Sequence, residues 1–257
     1  RTLVMGVINV TPDSFSDGGI ALDPAQAAEM AVAMEAAGAD IIDLGAESTR
    51  PGATPVGTAD EMARVRPVLR AVASRVRVPI SIDTYKCEVA DLALGEGASI
   101  VNDISGLQYD PRLGGLTASK GAPIVLMHTR GRPQDMYAHA DYGDVVGEVA
   151  ADLQRAVDRA LAAGIGRDSI LLDPGLGFAK RAAQSLAALA GLDRLARLGF
   201  PLLVGPSRKS FLTVATGALD PEARDWPTAA AVTAAILGGA HLVRVHSVAE
   251  MVNVVRV

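Results

Sequence analysis

The 257-residue chain has a single cysteine, Cys87, so it can form neither an internal disulfide nor a cysteine-built zinc site. One cysteine suits a reducing, cytoplasmic setting. Near a helix start, Cys87 reads as a small buried hydrophobe and not as a nucleophile. Aromatic residues make up only 4% of the chain while 49% is hydrophobic, so alanine, valine, leucine and isoleucine must fill the core. Such a composition fits small-residue helices packed on a buried parallel sheet. No apolar run approaches the roughly 20 residues of a membrane span, and no charged-then-apolar leader is visible. The net charge of −5 is spread over interspersed signs with no basic stripe. Nucleic acid and membrane surfaces are therefore not expected partners, and any anion must be held by local cations. Also missing are a Gly-rich dinucleotide fingerprint, a Walker motif and an HExxH zinc motif, which leaves those cofactor classes without support.

What the chain does contain is alternation. Its length is near the roughly 250 residues of a (β/α)₈ barrel. Short apolar runs at 3–9, 40–44, 79–83, 99–103, 123–128, 169–173, 201–205 and 241–246 alternate with Ala-rich segments of helical length. Helices are expected at 24–37, 60–75, 86–96, 145–163 and 183–198. The pattern predicts an α/β fold: a single (β/α)₈ TIM barrel spanning 1–257, with its active site at the C-terminal ends of the strands. Gly38-Ala39, Gly97-Ala98, Gly121-Ala122 and Gly239-Ala240 each precede a run, as expected where a helix ends with positive φ. Segments 106–120, 129–143 and 217–227 read as longer excursions, and 247–257 is short for a closing helix.

The runs end in polar residues: Asn9, Asp43, Asp83, Asn102 with Asp103, His128, Asp173, and Arg244 with His246. Any one could cap a helix, but in a parallel barrel all these ends meet on one face. Asp173 opens Asp173-Pro-Gly-Leu-Gly-Phe178, where a carboxylate at a pocket floor could accept the paired N–H groups of an amino-pyrimidinone such as a pterin. Asp83 and Asn102 could add hydrogen bonds to the same heterocycle or simply cap the helices that follow them. Arg244 and His246, two apart on one strand, share a face and suit an anion, with Asn9 on the adjacent strand able to complete the site with a metal. In Val204-Gly-Pro-Ser-Arg-Lys-Ser-Phe211 a turn leads into two adjacent cations, which by itself reads as a second anion site. The polar loops 11–19 and 45–52 read as covers over the mouth.

Taken together, Met5-Gly-Val-Ile-Asn-Val-Thr-Pro-Asp-Ser-Phe15, Gly45-Ala-Glu-Ser-Thr-Arg-Pro-Gly52, Ser81-Ile-Asp-Thr84, Asn102-Asp-Ile-Ser-Gly106, Asp173-Pro-Gly-Leu-Gly-Phe178, Ser207-Arg-Lys209 and Arg244-Val-His246 run in order along nearly the whole chain. In these motifs the sequence resembles the dihydropteroate synthases, a family of pterin-binding barrels. The resemblance implies condensation of 6-hydroxymethyl-7,8-dihydropterin pyrophosphate with 4-aminobenzoate to give dihydropteroate and pyrophosphate. It implies that Asp83, Asn102, Asp173 and Lys209 hold the pterin, with Met127 and Phe178 lining its slot. Arg244, His246 and Asn9 are implied for pyrophosphate, Asn9 through Mg²⁺. Phe15, Thr49, Pro51 and Ser210 are implied to frame 4-aminobenzoate, with Arg50 helping to close the second loop. The catalytic set is then Asp83, Asp173, Lys209, Arg244 and His246, and a homodimer is expected. The cationic turn divides accordingly, with Lys209 facing the pterin and Ser207 and Arg208 supporting the turn. Ala46 departs from the glycine common at its place. Two other readings stay open: a methyltransferase-type pterin barrel, which would have no use for Arg244 and His246, and a pterin-binding relative without turnover.

Overall fold

The structure, a computed structural model, describes residues 1–10, 23–217 and 219–257. Phe15 and the rest of the expected first loop lie outside the described residues. Eight strands, β1 (Leu3–Asn9), β2 (Ile41–Gly45), β3 (Ile80–Asp83), β4 (Ile100–Asp103), β5 (Ile124–Met127), β6 (Ile170–Asp173), β7 (Leu203–Val204) and β8 (Leu242–Val245), form one parallel sheet in the order β6-β5-β4-β3-β2-β1-β8-β7. A parallel bridge between Leu172 and Leu202, with the Leu172 N–H donating to Pro201 O at 2.9 Å, joins β6 to β7 and closes the ring. Around it lie α1 (Pro24–Ala37), α2 (Thr58–Ala73), α3 (Cys87–Gly95), α4 (Arg112–Lys120), α5 (Val145–Ala162), α6 (Ala182–Ala190), α7 (Leu192–Ala196), α8 (Thr213–Thr216), α9 (Asp225–Leu237) and α10 (Val248–Arg256). This is the (β/α)₈ barrel expected from the alternation.

Local chemistry sets these boundaries. The Asp23 carboxylate accepts from Gln26 N ahead of Pro24, and α1 stops at Gly38 with φ 104°. The other three glycines of the Gly-Ala repeat also have positive φ, as expected. Along α5, Val146, Val149, Leu153, Ala156, Val157 and Ala160 form one buried stripe against the sheet. Each fully buried valine or leucine there contributes roughly 1.5–3 kcal/mol. Two apolar layers result. Met5, Ile41, Val125, Leu203 and Leu242, joined by Leu3, Ile100 and Leu171, fill the barrel beneath the mouth, and a larger layer lies between sheet and helices.

Several helices depart from the sequence reading, α9 among them, which none of the expected helices covers. Helix α4 occupies most of the expected excursion 106–120, hidden there by Gly114-Gly115. A β-carbon at Gly114 would come 2.9 Å from Ala163 Cβ, so glycine at this position lets α4 sit close to the end of α5. The expected helix 183–198 is two, α6 and α7, broken at Gly191. The short segment after β8 does form a helix, α10, which buries Val248, Met251 and Val252. Among the described residues no helix is long and apolar enough to cross a membrane.

Candidate active site

Strand periodicity decides which polar ends face the mouth. Met5, Ile41, Ile100, Val125, Leu171, Leu203 and Leu242 point into the barrel. Residues an even number away on each strand share that face. Asn9, Asp43, Asn102, Met127, Asp173, Arg244 and His246 all keep this parity, and register places Ser81 and Asp83 beside Asp43 and Asn102. Asp103 and His128 do not, which corrects the expectation that every polar strand end reaches the mouth. Asp103 instead accepts the N–H groups of Ser105 at 2.8 Å and Leu107 at 2.5 Å, and His128 Nε2 lies 3.0 Å from Asp152 Oδ2 on α5.

Within the mouth, Arg244 is the hub. Its Nε donates to Asp43 Oδ2 at 2.6 Å and its Nη2 to Asp83 Oδ2 at 2.9 Å, while Asn102 Nδ2 also donates to Asp43 at 3.2 Å. Asp43 is fully buried. Sequence reading singled out Asp43 only as a strand end and not as the partner of Arg244. Burial pushes Asp83 up to about 7, against the opposing charge of Arg244. A site that holds two carboxylates this close needs a permanent cation, and the guanidinium supplies one with forked donors.

Beyond Arg244, His246 is held by Ser207. The His246 backbone N–H donates to Ser207 Oγ at 3.2 Å, and the same hydroxyl lies 2.9 Å from His246 Nδ1. When the hydroxyl donates to Nδ1, the ring proton sits on Nε2. Burial, then the charges of Arg244, Arg208 and Arg50, lower His246 to about 3, so it is a neutral donor at physiological pH. Arg208 supports the turn as expected. Its backbone adopts φ 59°, and its N–H, guanidinium and carbonyl are tied to Thr228, Asp225, Ser247 and Arg224.

Two strands round the ring, on β6, Asp173 is aimed by its own turn. Gly175 N–H donates to Asp173 Oδ1 at 2.7 Å, and a β-carbon at Gly175, where φ is 64°, would lie 2.0 Å from His128 O. Burial raises the Asp173 carboxyl above its ordinary range, with Lys209 opposing. Lys209 Nζ lies 4.7 Å from the centroid of the Phe178 ring and donates to Leu176 O. Burial, opposed by Asp173, brings Lys209 down to about 8. The structure thus brings Asp173, Lys209 and Phe178 together, with buried Met127 register-paired to Asp173.

The second loop is tethered at both ends. Glu47 Oε1 accepts from Val56 N at 3.2 Å and from Tyr85 Oη at 3.1 Å, and Gly52 N donates to Pro133 O at 2.9 Å. Thr49 is half-buried, Arg50 and Pro51 are exposed, and Ala46 is fully buried at the base of the loop. Ser210 is exposed at the start of a short 3₁₀ turn after Lys209. Asn9 ends β1 opposite Gly45. Cys87 is half-buried at the first turn of α3, where burial and then Asp110 raise its thiol, so it is no thiolate nucleophile.

Comparison with known proteins then decides the family. A profile described as "Pterin binding enzyme" matches residues 5–246, which takes in every mouth residue from Asn9 to His246. The chain belongs to the pterin-binding enzyme family. A dihydropteroate synthase of Synechocystis sp. is 48% identical over 257 residues, covering 100% of this chain and 89% of that protein. The structure of the Yersinia pestis dihydropteroate synthase in a sulfonamide drug complex superposes with a TM-score of 0.93 at 42% identity, covering 99% of this chain and 92% of that one. The Xanthomonas albilineans enzyme in complex with 7,8-dihydropteroate gives 0.90 at 38%, covering 100% and 92%. Within the pterin-binding enzyme family, therefore, the chain is similar to dihydropteroate synthases over nearly its whole length.

Proposed function

We infer that this chain condenses 6-hydroxymethyl-7,8-dihydropterin pyrophosphate with 4-aminobenzoate, releasing 7,8-dihydropteroate and pyrophosphate in folate biosynthesis. One observation carries the reading: the mouth has two chemically different halves. Asp173, Lys209, Phe178 and Met127 make a carboxylate-floored, partly apolar slot, and on β8 Arg244, whose Nε and Nη2 are held by Asp43 and Asp83, stands with neutral His246, where their remaining donors would suit an anion. The slot suits a pterin, whose N–H edge Asp173 would accept, with Asp83 and Asn102 at its side. The donors suit the diphosphate.

Breaking the bond between the pterin methylene and the diphosphate oxygen puts positive charge on carbon and negative charge on the leaving group. Arg244 and the Nε2–H of His246 would stabilise the anion, and the Asp173 carboxylate would favour the cation spread into the pterin ring. The arylamine nitrogen then bonds to the methylene and loses its proton. Thr49, Arg50, Pro51 and Ser210, with Phe15, would frame 4-aminobenzoate and keep water from capturing the cation first. Among the described residues no group of three histidine, cysteine or acidic side chains makes a metal cage. The donor set nevertheless fits Mg²⁺, because the Asn9 carboxamide is a hard oxygen ligand and this ion takes much of its shell from waters and substrate phosphates. Bound there, Mg²⁺ would offset charge on the departing pyrophosphate.

The direct test is pyrophosphate release. Release should require both substrates, and Asp173→Asn should lower kcat/KM for the pterin substrate on the order of 100-fold or more. Release without 4-aminobenzoate, or an unchanged Asp173→Asn enzyme, contradicts the reading. Calorimetry that detects pterin binding beside absent turnover favours the non-catalytic relative instead.

We also propose a homodimer. Helix α9 leaves Trp226 87% and Leu237 85% exposed, large apolar groups of the kind that a second copy would cover. Sedimentation equilibrium should return twice the chain mass, and Trp226→Glu with Leu237→Glu should shift it towards one. A wild-type mass of one chain refutes the proposal.

A further inference from the structure

Behind the Asp173 turn lies a lysine for which the proposed reaction has no use. Lys180 is 1% exposed and, among the described residues, is the largest of the fully buried side chains. Its Nζ donates to Gly175 O at 3.1 Å and Phe178 O at 3.1 Å, and it meets His128 Nδ1 at 2.7 Å. Three acceptors match the three protons of an ammonium. With Nδ1 accepting, the His128 proton sits on Nε2 and donates to Asp152 Oδ2 at 3.0 Å, and Asp152 is in turn paired with Arg130 and Arg155. The result is an unbroken polar chain from the turn to the outer face of α5. Burial pushes Lys180 well below the ordinary lysine range, with the charge of Asp173 pulling the other way.

The two carbonyls that Lys180 holds bracket the turn. Gly175 donates the hydrogen bond that aims Asp173, and Phe178 carries the ring beside Lys209. Ala179, between Phe178 and Lys180, sits at φ 47°, a left-handed conformation unfavourable for a residue other than glycine. The turn therefore holds a shape that its own backbone would not choose, and Lys180 ties it from within.

We infer that Lys180 is a positioning residue that, from behind the mouth, fixes the Asp173–Phe178 turn so that carboxylate and ring meet the pterin together. This rests on the pterin reading given above. It predicts an effect on one substrate only. Lys180→Met fills the space without donors or charge. It should raise the KM for the pterin pyrophosphate, and the Kd for 6-hydroxymethylpterin by calorimetry, by about tenfold or more. The Kd for pyrophosphate alone and the KM for 4-aminobenzoate should stay within about twofold. In a double-mutant cycle with Asp173→Asn, the second change should add little to the first, because a lost carboxylate has nothing left to aim. Unchanged pterin affinity, equal losses for both substrates, or full additivity overturns the role. If Lys180→Met does not fold, Lys180→Gln, which keeps a donor, decides by the same comparison of substrates. Should the wild type neither bind the free pterin nor release pyrophosphate, the pterin reading itself fails, which separates that outcome from a failure of Lys180 alone.

Discussion

Arg244→Met is expected to lower kcat/KM by on the order of 10³-fold and to cost about 3–5 kcal/mol of stability in the same protein. The two losses share a cause. Arg244 donates to Asp43 and Asp83 at once, and Asp43 is fully buried, so truncation leaves two carboxylates facing each other in a partly dry mouth where, among the described residues, Asn102 donates to one of them. Lysine is no substitute, because its compact ammonium lacks the planar, spaced donors by which the guanidinium meets Asp43 through Nε and Asp83 through Nη2. The two effects can be separated. Adding Asp43→Asn to Arg244→Met should return much of the lost stability by removing the stranded charge, and it should return none of the activity, since the donor for the anion is still missing. Urea unfolding and steady-state kinetics on the three variants check this. An Arg244→Met protein as stable as wild type would show that the cluster is solvated and its ion pairs weak.

Lys86→Met is expected to cost a similar amount, about 3–5 kcal/mol, in a cluster to which the proposed reaction assigns no substrate contact. Lys86 Nζ donates to Glu47 Oε2 at 2.6 Å, Glu61 Oε2 at 2.5 Å and Val56 O at 2.7 Å. Glu61 is completely buried, and burial already raises its carboxyl, with the Lys86 hydrogen bond holding it down. Without the lysine, Glu61 has no cation and must take up a proton to stay inside. The same cluster fixes both ends of the second loop through Glu47 and Val56. The KM for 4-aminobenzoate should therefore rise several-fold while the affinity for pyrophosphate holds. Glu61→Leu placed on Lys86→Met should restore thermal stability without restoring that KM, because Glu47 remains unclamped. Differential scanning calorimetry beside initial-rate kinetics reads both. Recovery of both quantities together would mean that the loop owes nothing to the cluster.

The course of the chain was legible because two periodicities agree. Their places at the ends of the runs put Asp83, Asn102, Asp173, Arg244 and His246 at one end of a parallel barrel, a two-residue spacing put Arg244 and His246 on one face, and the Gly-Ala repeats marked four helix ends. Single residues could not carry the parity to the end of every strand: Asp103 and His128 stand one place beyond Asn102 and Met127 and so leave the mouth, Asp103 for the N–H groups of its own turn and His128 for Asp152 on α5. Nor could the sequence disclose partners set by register between distant strands. Asp43 and Arg244 are 201 positions apart and meet only because β2 and β8 flank β1. Lys86 and Lys180 follow familiar motifs and look like ordinary surface cations until burial is known. Helix α4 was masked by two glycines, one of which serves its neighbour's packing and not its own helicity.

Gly175 carries that last point further. A first side-chain atom there would strike the carbonyl at the end of β5, part of the main chain and unable to swing aside. In a saturation scan, position 175 would accept only its present occupant and would score beside Asp173 as indispensable, although it touches no reacting atom. Intolerance to replacement in this barrel thus measures clearance as well as chemistry, and the two are told apart only by asking which atom the newcomer would meet.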